Sequence, residues 1–203
     1  MAVNHHTDWP ESYEYLEMML AKGYPVTVIE PDVGGFKSLY EKCKRYAILP
    51  SRFRRWCTVE FKIEPLAAHY ERPCVELIGF DVAEAYRAKR MHERDGVVQE
   101  YPLIEAGLDR KGCIEIIQRH GLSVPPKSNC FVCPFQRKNQ WVELRQKHPE
   151  LFCKAQKLEQ AISERRAAKG KSPVYFMEKP LDLVVQETQV RMWDDRPPCR
   201  CGL

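Results

Sequence analysis

Two cysteines three positions apart, Cys130 and Cys133 in the run Lys127–Phe135 (KSNCFVCPF), constrain this 203-residue chain more than any other feature. The spacing aims two thiolates at one centre from a single tight turn, which is how metals and iron–sulfur clusters are held. It also suits a redox pair. Three outlying cysteines favour a centre: Cys57 in RRWCT, and Cys199 and Cys201 near the C-terminus. A fold that gathers these must tie the start, middle and tail of the chain to one point. A metal site is the main expectation.

The chain carries nine cysteines, and its N-terminus has neither a basic n-region nor an apolar h-region. Both point to a reducing, cytoplasmic setting, where thiols serve metals or catalysis more often than disulfides. No stretch approaches the roughly 20 apolar residues of a membrane span, so no membrane partner is expected. The net charge of +4 permits an anionic partner, nucleic acid included, without marking a dedicated nucleic-acid binder. The length suits a single domain over 1–203, with an α/β part in 1–121 and the cysteine loop, helices and tail in 122–203.

Periodicity alternates short β-branched runs with helical spacing. Asp8 reads as an N-cap ahead of Pro10 and Glu11, and the helix that follows ends near Gly23. Pro25–Glu30 (PVTVIE) and Val75–Asp81 (VELIGFD) read as strands, the second buried, with a helix over Phe36–Arg45. A helical stretch from Thr58 to about Tyr70 meets Pro65, which should kink or split it. Val82–Met91 reads as a helix, Tyr101–Ile104 as extended, and Asp109 caps a helix closed by Gly121. Helices over Gln136–His148 and from Pro149 to about Ala168 carry an apolar stripe through Leu151, Phe152, Ala155, Leu158 and Ile162. Val174–Met177 reads as extended and Leu181–Glu187 as a short helix. A helix between two strands marks a βαβ unit and a parallel sheet.

Other chemistry-bearing residues are ambiguous taken alone. Arg52, Arg54 and Arg55 beside Trp56 could hold phosphate or sulfate through bidentate bonds, or form a solvated basic loop. Asp81, Glu84 and Arg87 recur on adjacent helical turns, the pattern of an exposed charge ladder. His5 and His6 are neighbours that would face opposite sides of a strand, so they do not share one metal. Cys43, Cys74, Cys113 and Cys153 fall on apolar faces or strands and read as core thiols.

Taken together, RRWCT at Arg54–Thr58 with Lys62, IGFDVAEAYR at Ile78–Arg87, YPLIEAG at Tyr101–Gly107 and PPKSNCFVCPF at Pro125–Phe135 resemble the phosphoadenosine phosphosulfate (PAPS) reductase family. The nearest likeness is to its cluster-bearing branch, which includes the sulfur-transfer component of DNA phosphorothioation systems; the tail CRCG at Cys199–Gly202 is similar to that branch's terminal motif. The resemblance implies an adenine nucleotide α-hydrolase-like fold, a parallel sheet flanked by helices, here N-terminally truncated and with a helical C-terminal half. It implies a [4Fe–4S] cluster, or alternatively zinc, on Cys57, Cys130, Cys133 and either Cys201 or Cys199. It further implies an adenine-nucleotide or anion site near Arg87 and Glu84, with Arg55, Lys62 and Lys127 as weaker contacts.

The sequence departs from the family at its pyrophosphate-binding loop, S-G-G-x-D-S, whose backbone N–H groups would cradle phosphate at a helix N-terminus. That loop would precede the segment matched by Ala2–Pro10. Gly34–Ser38 looks similar but follows the second strand and lacks the acidic residue. Two readings stay open: a sulfur-transfer or ATP-pyrophosphatase relative that cannot do ATP chemistry alone, or a non-enzymatic, metal-stabilised module that binds a protein or nucleic acid. In either, a protein partner or second copy is expected to cover the truncated sheet.

Overall fold

The helix Pro10–Ala21 (α1) starts one residue later than an Asp8 cap would allow, and the cause lies far along the chain. Asp8 forms an antiparallel bridge with Cys130, so its backbone is committed elsewhere and Trp9 becomes the N-cap. Pro10 then occupies the first turn, where its missing N–H costs nothing. At the other end Gly23 takes φ +80°, and Tyr24 N–H reaches back to the Met19 carbonyl at 3.1 Å. This is the left-handed stop that glycine permits.

The structure is a computed structural model that describes residues 1–89 and 95–194. The chain forms two compact units, one from Met1–Leu66 with Lys127–Leu203 and the other from Ala67–Pro126. In the first unit α1 connects strands β1 (Ala2–Val3) and β2 (Val28–Ile29), which pair in parallel with Ala2 opposite Val28 and Val3 opposite Ile29. Of the expected Pro25–Glu30 strand only these two residues join a ladder. Helix α2 covers Leu39–Tyr46 and ends where Ala47 adopts a left-handed conformation. Next come α3 (Trp56–Thr58), a π-helical turn over Val59–Ile63, and α4 (Glu64–Ala67). Pro65 cannot donate to the preceding turn, and the segment is split into differently wound pieces just before it.

In the second unit, strand β3 (Cys74–Leu77) lies parallel to β4 (Val97–Glu100), in register from Cys74 opposite Val97 to Leu77 opposite Glu100. β3 was expected to be buried and longer, but its Val75 and Leu77 are exposed, as is Val98 on β4. A 3₁₀ turn over Val82–Glu84 runs into α5 (Ala85–Ala88), so the expected helix begins in tighter form. Tyr101–Ile104 is not extended. Pro102 starts helix α6 (Pro102–Glu105), and the extended run is the β-branched Val97-Val98 pair before it. In α7 (Arg110–Arg119), Asp109 accepts from Gly112 N–H at 2.8 Å, and Gly121 closes the end at φ +68°.

The core of the first unit rests on α8 (Lys138–Lys147), α9 (Pro149–Ala167) and α10 (Leu181–Asp194). Trp141, Leu144, Phe152, Leu158, Ile162, Leu181 and Val185 bury their side chains with Leu39, Cys43, Phe61, Phe131 and Val132. Each such side chain contributes about 1.5–3 kcal/mol through removal from water. One member of the α9 stripe is charged. Glu159 is 3% exposed and its carboxylate accepts from Phe176 N–H at 2.8 Å and Leu181 N–H at 2.9 Å. Ser163 Oγ holds Val174 in the same way, donating to its carbonyl at 2.7 Å. Val174–Met177, read as extended, thus finds its partners in α9 side chains and belongs to no sheet. The architecture is mixed α/β with two short parallel sheets. No described helix is long and apolar enough to cross a membrane.

Candidate functional site

The cysteine loop is held from both sides. Phe131 N–H donates to the Thr7 carbonyl at 2.9 Å and Trp9 N–H to the Asn129 carbonyl at 2.8 Å, locking the loop to the N-terminal segment. Within it Cys133 N–H donates to the Cys130 carbonyl at 3.0 Å, closing the turn that the C-x-x-C spacing implied. Phe131 and Val132, between the two thiols, are buried and anchor the turn in the core. Arg52 Nε donates to the Pro134 carbonyl at 2.7 Å and fixes the loop's far side.

Cys43 on α2 belongs to the buried core against which both Cys57 on α3 and Cys130 pack. Cys43 lies close enough to Cys130 and Cys57, and Cys57 to Cys133, for each thiol to feel its neighbours' charge. Burial pushes the Cys130 thiol up to about 12. Burial also raises Cys43 and Cys57; at Cys57 a Thr58 hydrogen bond and the Lys62 ammonium oppose it. The thiols are therefore neutral at pH 7 unless a cation replaces their protons. As placed, no group of three or more His, Cys, Asp and Glu side chains among the described residues converges on a metal position. Cys199 and Cys201 lie outside the described residues.

A buried polar chain supports Cys130 from behind. Its thiol donates to Thr7 Oγ1 at 3.1 Å, and Thr7 Oγ1 lies 2.6 Å from His5 Nδ1. With the thiol donating to it, the Thr7 hydroxyl directs its own proton to Nδ1, which leaves the imidazole proton on Nε2, 3.4 Å from Asp8 Oδ2. Burial draws His5 down to about 4; the Asp8 carboxylate resists this and Lys62 adds to it. Tyr13, whose hydroxyl accepts from Asp8 N–H at 3.1 Å, is raised to about 12, chiefly by burial. Gln136, one turn past Cys133, is buried, and neither atom of its amide has a hydrogen-bond partner among the described residues.

The other expected site residues are dispersed. Arg55 packs its guanidinium over the Phe135 ring at 5.5 Å, beside the cysteine loop, and Lys127 is exposed at the loop's start. Lys62 is half-buried, near His5 and Cys57. In the second unit Arg87 and Glu84 form an ion pair with each other, and Arg87 stacks over Phe80 at 4.1 Å. Asp81 caps the 3₁₀ turn through Ala83 and Glu84 N–H groups. The Gly34–Ser38 turn is internally occupied: Gly35 N–H donates to Asp32 at 2.7 Å and Lys37 pairs with Glu30 at 3.1 Å.

Sequence reading placed Cys43 in the core, where it is fully buried, but not beside the other thiols. It did not single out Thr7 or assign His5 a role. Helical spacing puts Cys43 on the buried face of α2 with Leu39, which was the available signal for Cys43. No protein-family model, curated protein or solved structure matches the chain.

Proposed function

We propose that this chain is a metal-centre protein of the PAPS-reductase-like, sulfur-transfer kind, built on an adenine nucleotide α-hydrolase-like parallel sheet. Cys57, Cys130 and Cys133, with Cys199 or Cys201, hold a [4Fe–4S] cluster, and zinc is the alternative occupant. The observation that carries this reading is that Cys57 and Cys130, from two distant segments of the first unit, pack against the same buried core. The donor set fits: soft sulfurs from two segments, partly or wholly buried, with the Lys62 ammonium favouring the Cys57 thiolate. A cluster so held supplies electrons or mobilises sulfur. The chain's own groups orient it: Thr7 fixes Cys130, Arg52 fixes the loop beyond Cys133, and His5 stays neutral behind them.

Arg87 and Glu84, with Arg55 and Lys127, remain the proposed contacts for an adenine nucleotide or other anion. ATP chemistry is not assigned to this chain alone, because two donors of Gly34–Ser38, the Gly35 N–H and the Lys37 ammonium, are already engaged by Asp32 and Glu30. That observation favours a second reading, a non-enzymatic metal-stabilised module. The exposed Val75, Leu77 and Val98 would suit its protein partner or a second copy.

Anaerobic reconstitution with iron and sulfide tests the centre. Iron and acid-labile sulfide are expected in the unaltered protein and lost in Cys57→Ser and Cys130→Ser. One equivalent of zinc with no iron rejects the cluster and keeps the site. Full metal content in both variants rejects both.

A further inference from the structure

A different face of the first unit carries basic groups that, among the described residues, few carboxylates accompany. A cleft of about 460 Å³ is walled by Arg45, Tyr46, Arg165, Arg166, Lys169 and Lys171. It shares Ala47 and Arg166 with a second cleft of about 580 Å³, which continues past Arg52 and Phe53 to Tyr175. A third cleft shares Arg165 and adds Lys44 and Lys157. From Lys157 to Arg166 the strip follows α9 for roughly 14 Å at 1.5 Å per residue, and Lys169 and Lys171 continue it past the helix end. Among the described residues lining the first two clefts, Glu178 is the sole acid, and it pairs with Lys138. The net charge of +4 understates this local excess.

The basic groups are also set in place. Arg165 Nη1 donates to the Lys44 carbonyl at 3.2 Å, Arg166 Nε to the Ser172 carbonyl at 2.8 Å, and Arg52 Nε to the Pro134 carbonyl at 2.7 Å. Neutral carbonyls fix these guanidiniums without cancelling their charge. Among the described residues none of the three is in an ion pair with a carboxylate. Two exposed aromatic rings stand in the strip. Phe53 is 98% exposed and Tyr46 59%, so neither contributes much to the core. Phe53 is flanked by Arg52, Arg54 and Arg55.

We propose that this strip is a binding site for single-stranded nucleic acid. The cations of α9 and the α2 end follow successive phosphates, and Phe53, with Tyr46, stacks on unpaired bases. A duplex hides its base faces and leaves Phe53 without a partner. A mononucleotide spans too little of the strip. An acidic polypeptide meets the charges but gives the rings no flat surface to stack on. The strip touches the cysteine loop through Arg52 and Pro134 but uses none of its thiols, and it stands whichever occupant the metal centre takes.

The test titrates metal-replete, full-length protein into a fluorescein-labelled oligothymidylate and follows anisotropy over a range of salt concentrations. Binding is expected to weaken linearly on a log–log salt plot. Phe53→Ala should lower affinity roughly tenfold, since one stacked base is lost. Changing both Arg165 and Arg166 to Gln should reduce the salt slope by about 1.4, at about 0.7 per phosphate contact. Phe53→Ala should keep the thermal midpoint of the unaltered protein, Phe53 being outside the core; the double variant, which gives up the bonds to Lys44 and Ser172, is titrated at a temperature where its own melting curve shows it folded. No binding at low salt overturns the proposal. So does unchanged affinity in Phe53→Ala, or displacement of the oligonucleotide by polyglutamate at equal charge, which would assign the strip to an acidic protein.

Discussion

The Thr7 hydroxyl and the Cys130 thiol lie 3.1 Å apart across 123 residues of sequence. The same hydroxyl also serves His5. Thr7→Val keeps the shape and removes both bonds, leaving two buried polar groups unpartnered. The expected cost is about 1–3 kcal/mol, seen as a lower urea midpoint in reduced, metal-free protein with an unchanged m-value. Thr7→Ser should recover most of it. An undisturbed midpoint in Thr7→Val would show that the relay contributes nothing.

Metal uptake should release protons. Burial keeps Cys57 and Cys130 protonated well above neutrality, so each must give up a proton to become a ligand. Zinc titrations by calorimetry in buffers of different ionisation enthalpy should show that release at pH 7. Apparent affinity should rise with pH. Binding without proton release would mean that the thiols are already ionised.

Stability should depend on pH through His5. The unfolded imidazole takes a proton below its ordinary value of 6.5, whereas the folded one resists until about 4. The unfolded state thus binds more protons throughout that window, and folding stability falls as pH drops across it. The contribution is on the order of 3 kcal/mol. His5→Asn, which keeps a group near the Nδ1 position, should flatten this part of the stability–pH curve. An identical slope in the variant would assign the loss to carboxylates.

Glu159→Gln should destabilise although it removes a buried charge. Both carboxylate oxygens accept backbone N–H bonds, and an amide offers one acceptor and sets a donor against the other N–H. About 1–3 kcal/mol is expected from chemical denaturation. Burial raises the Glu159 carboxyl above its ordinary value, so ionising it disfavours folding. Its share of stability accordingly falls as pH rises from the unfolded value through the raised folded one.

Legibility followed the range of the causes. Local signals worked where they acted alone: Asp109 and Gly121 bound α7, Gly23 ends α1, and the α9 stripe packs as its spacing implied. They failed where a distant partner took over. Asp8 lost its role as a cap to the Cys130 bridge, and PVTVIE shrank to the two residues that β1 can pair. Val174–Met177 is held by Glu159 and Ser163, which no strand pattern encodes. At the thiol site the C-x-x-C turn was readable by spacing, and the inclusion of Cys57 rests on resemblance. Cys43 looked like any buried thiol, because burial shows in helical periodicity and proximity does not.

The division of the first unit between two chain segments also has a timetable. Synthesis is vectorial, and at roughly 5–20 residues per second Cys57 waits about 4–15 s before Cys130 is made. Throughout that interval Trp56 and Phe61 lack the α8 and α9 surfaces that later enclose them, while Ala67–Pro126 emerges as a unit of its own. On the nascent chain the early thiols are thus exposed to oxidants and wrong metals before their companions exist. The metal proposed for these thiols would be loaded on the finished polypeptide, and chaperones have the first claim on the unfinished one.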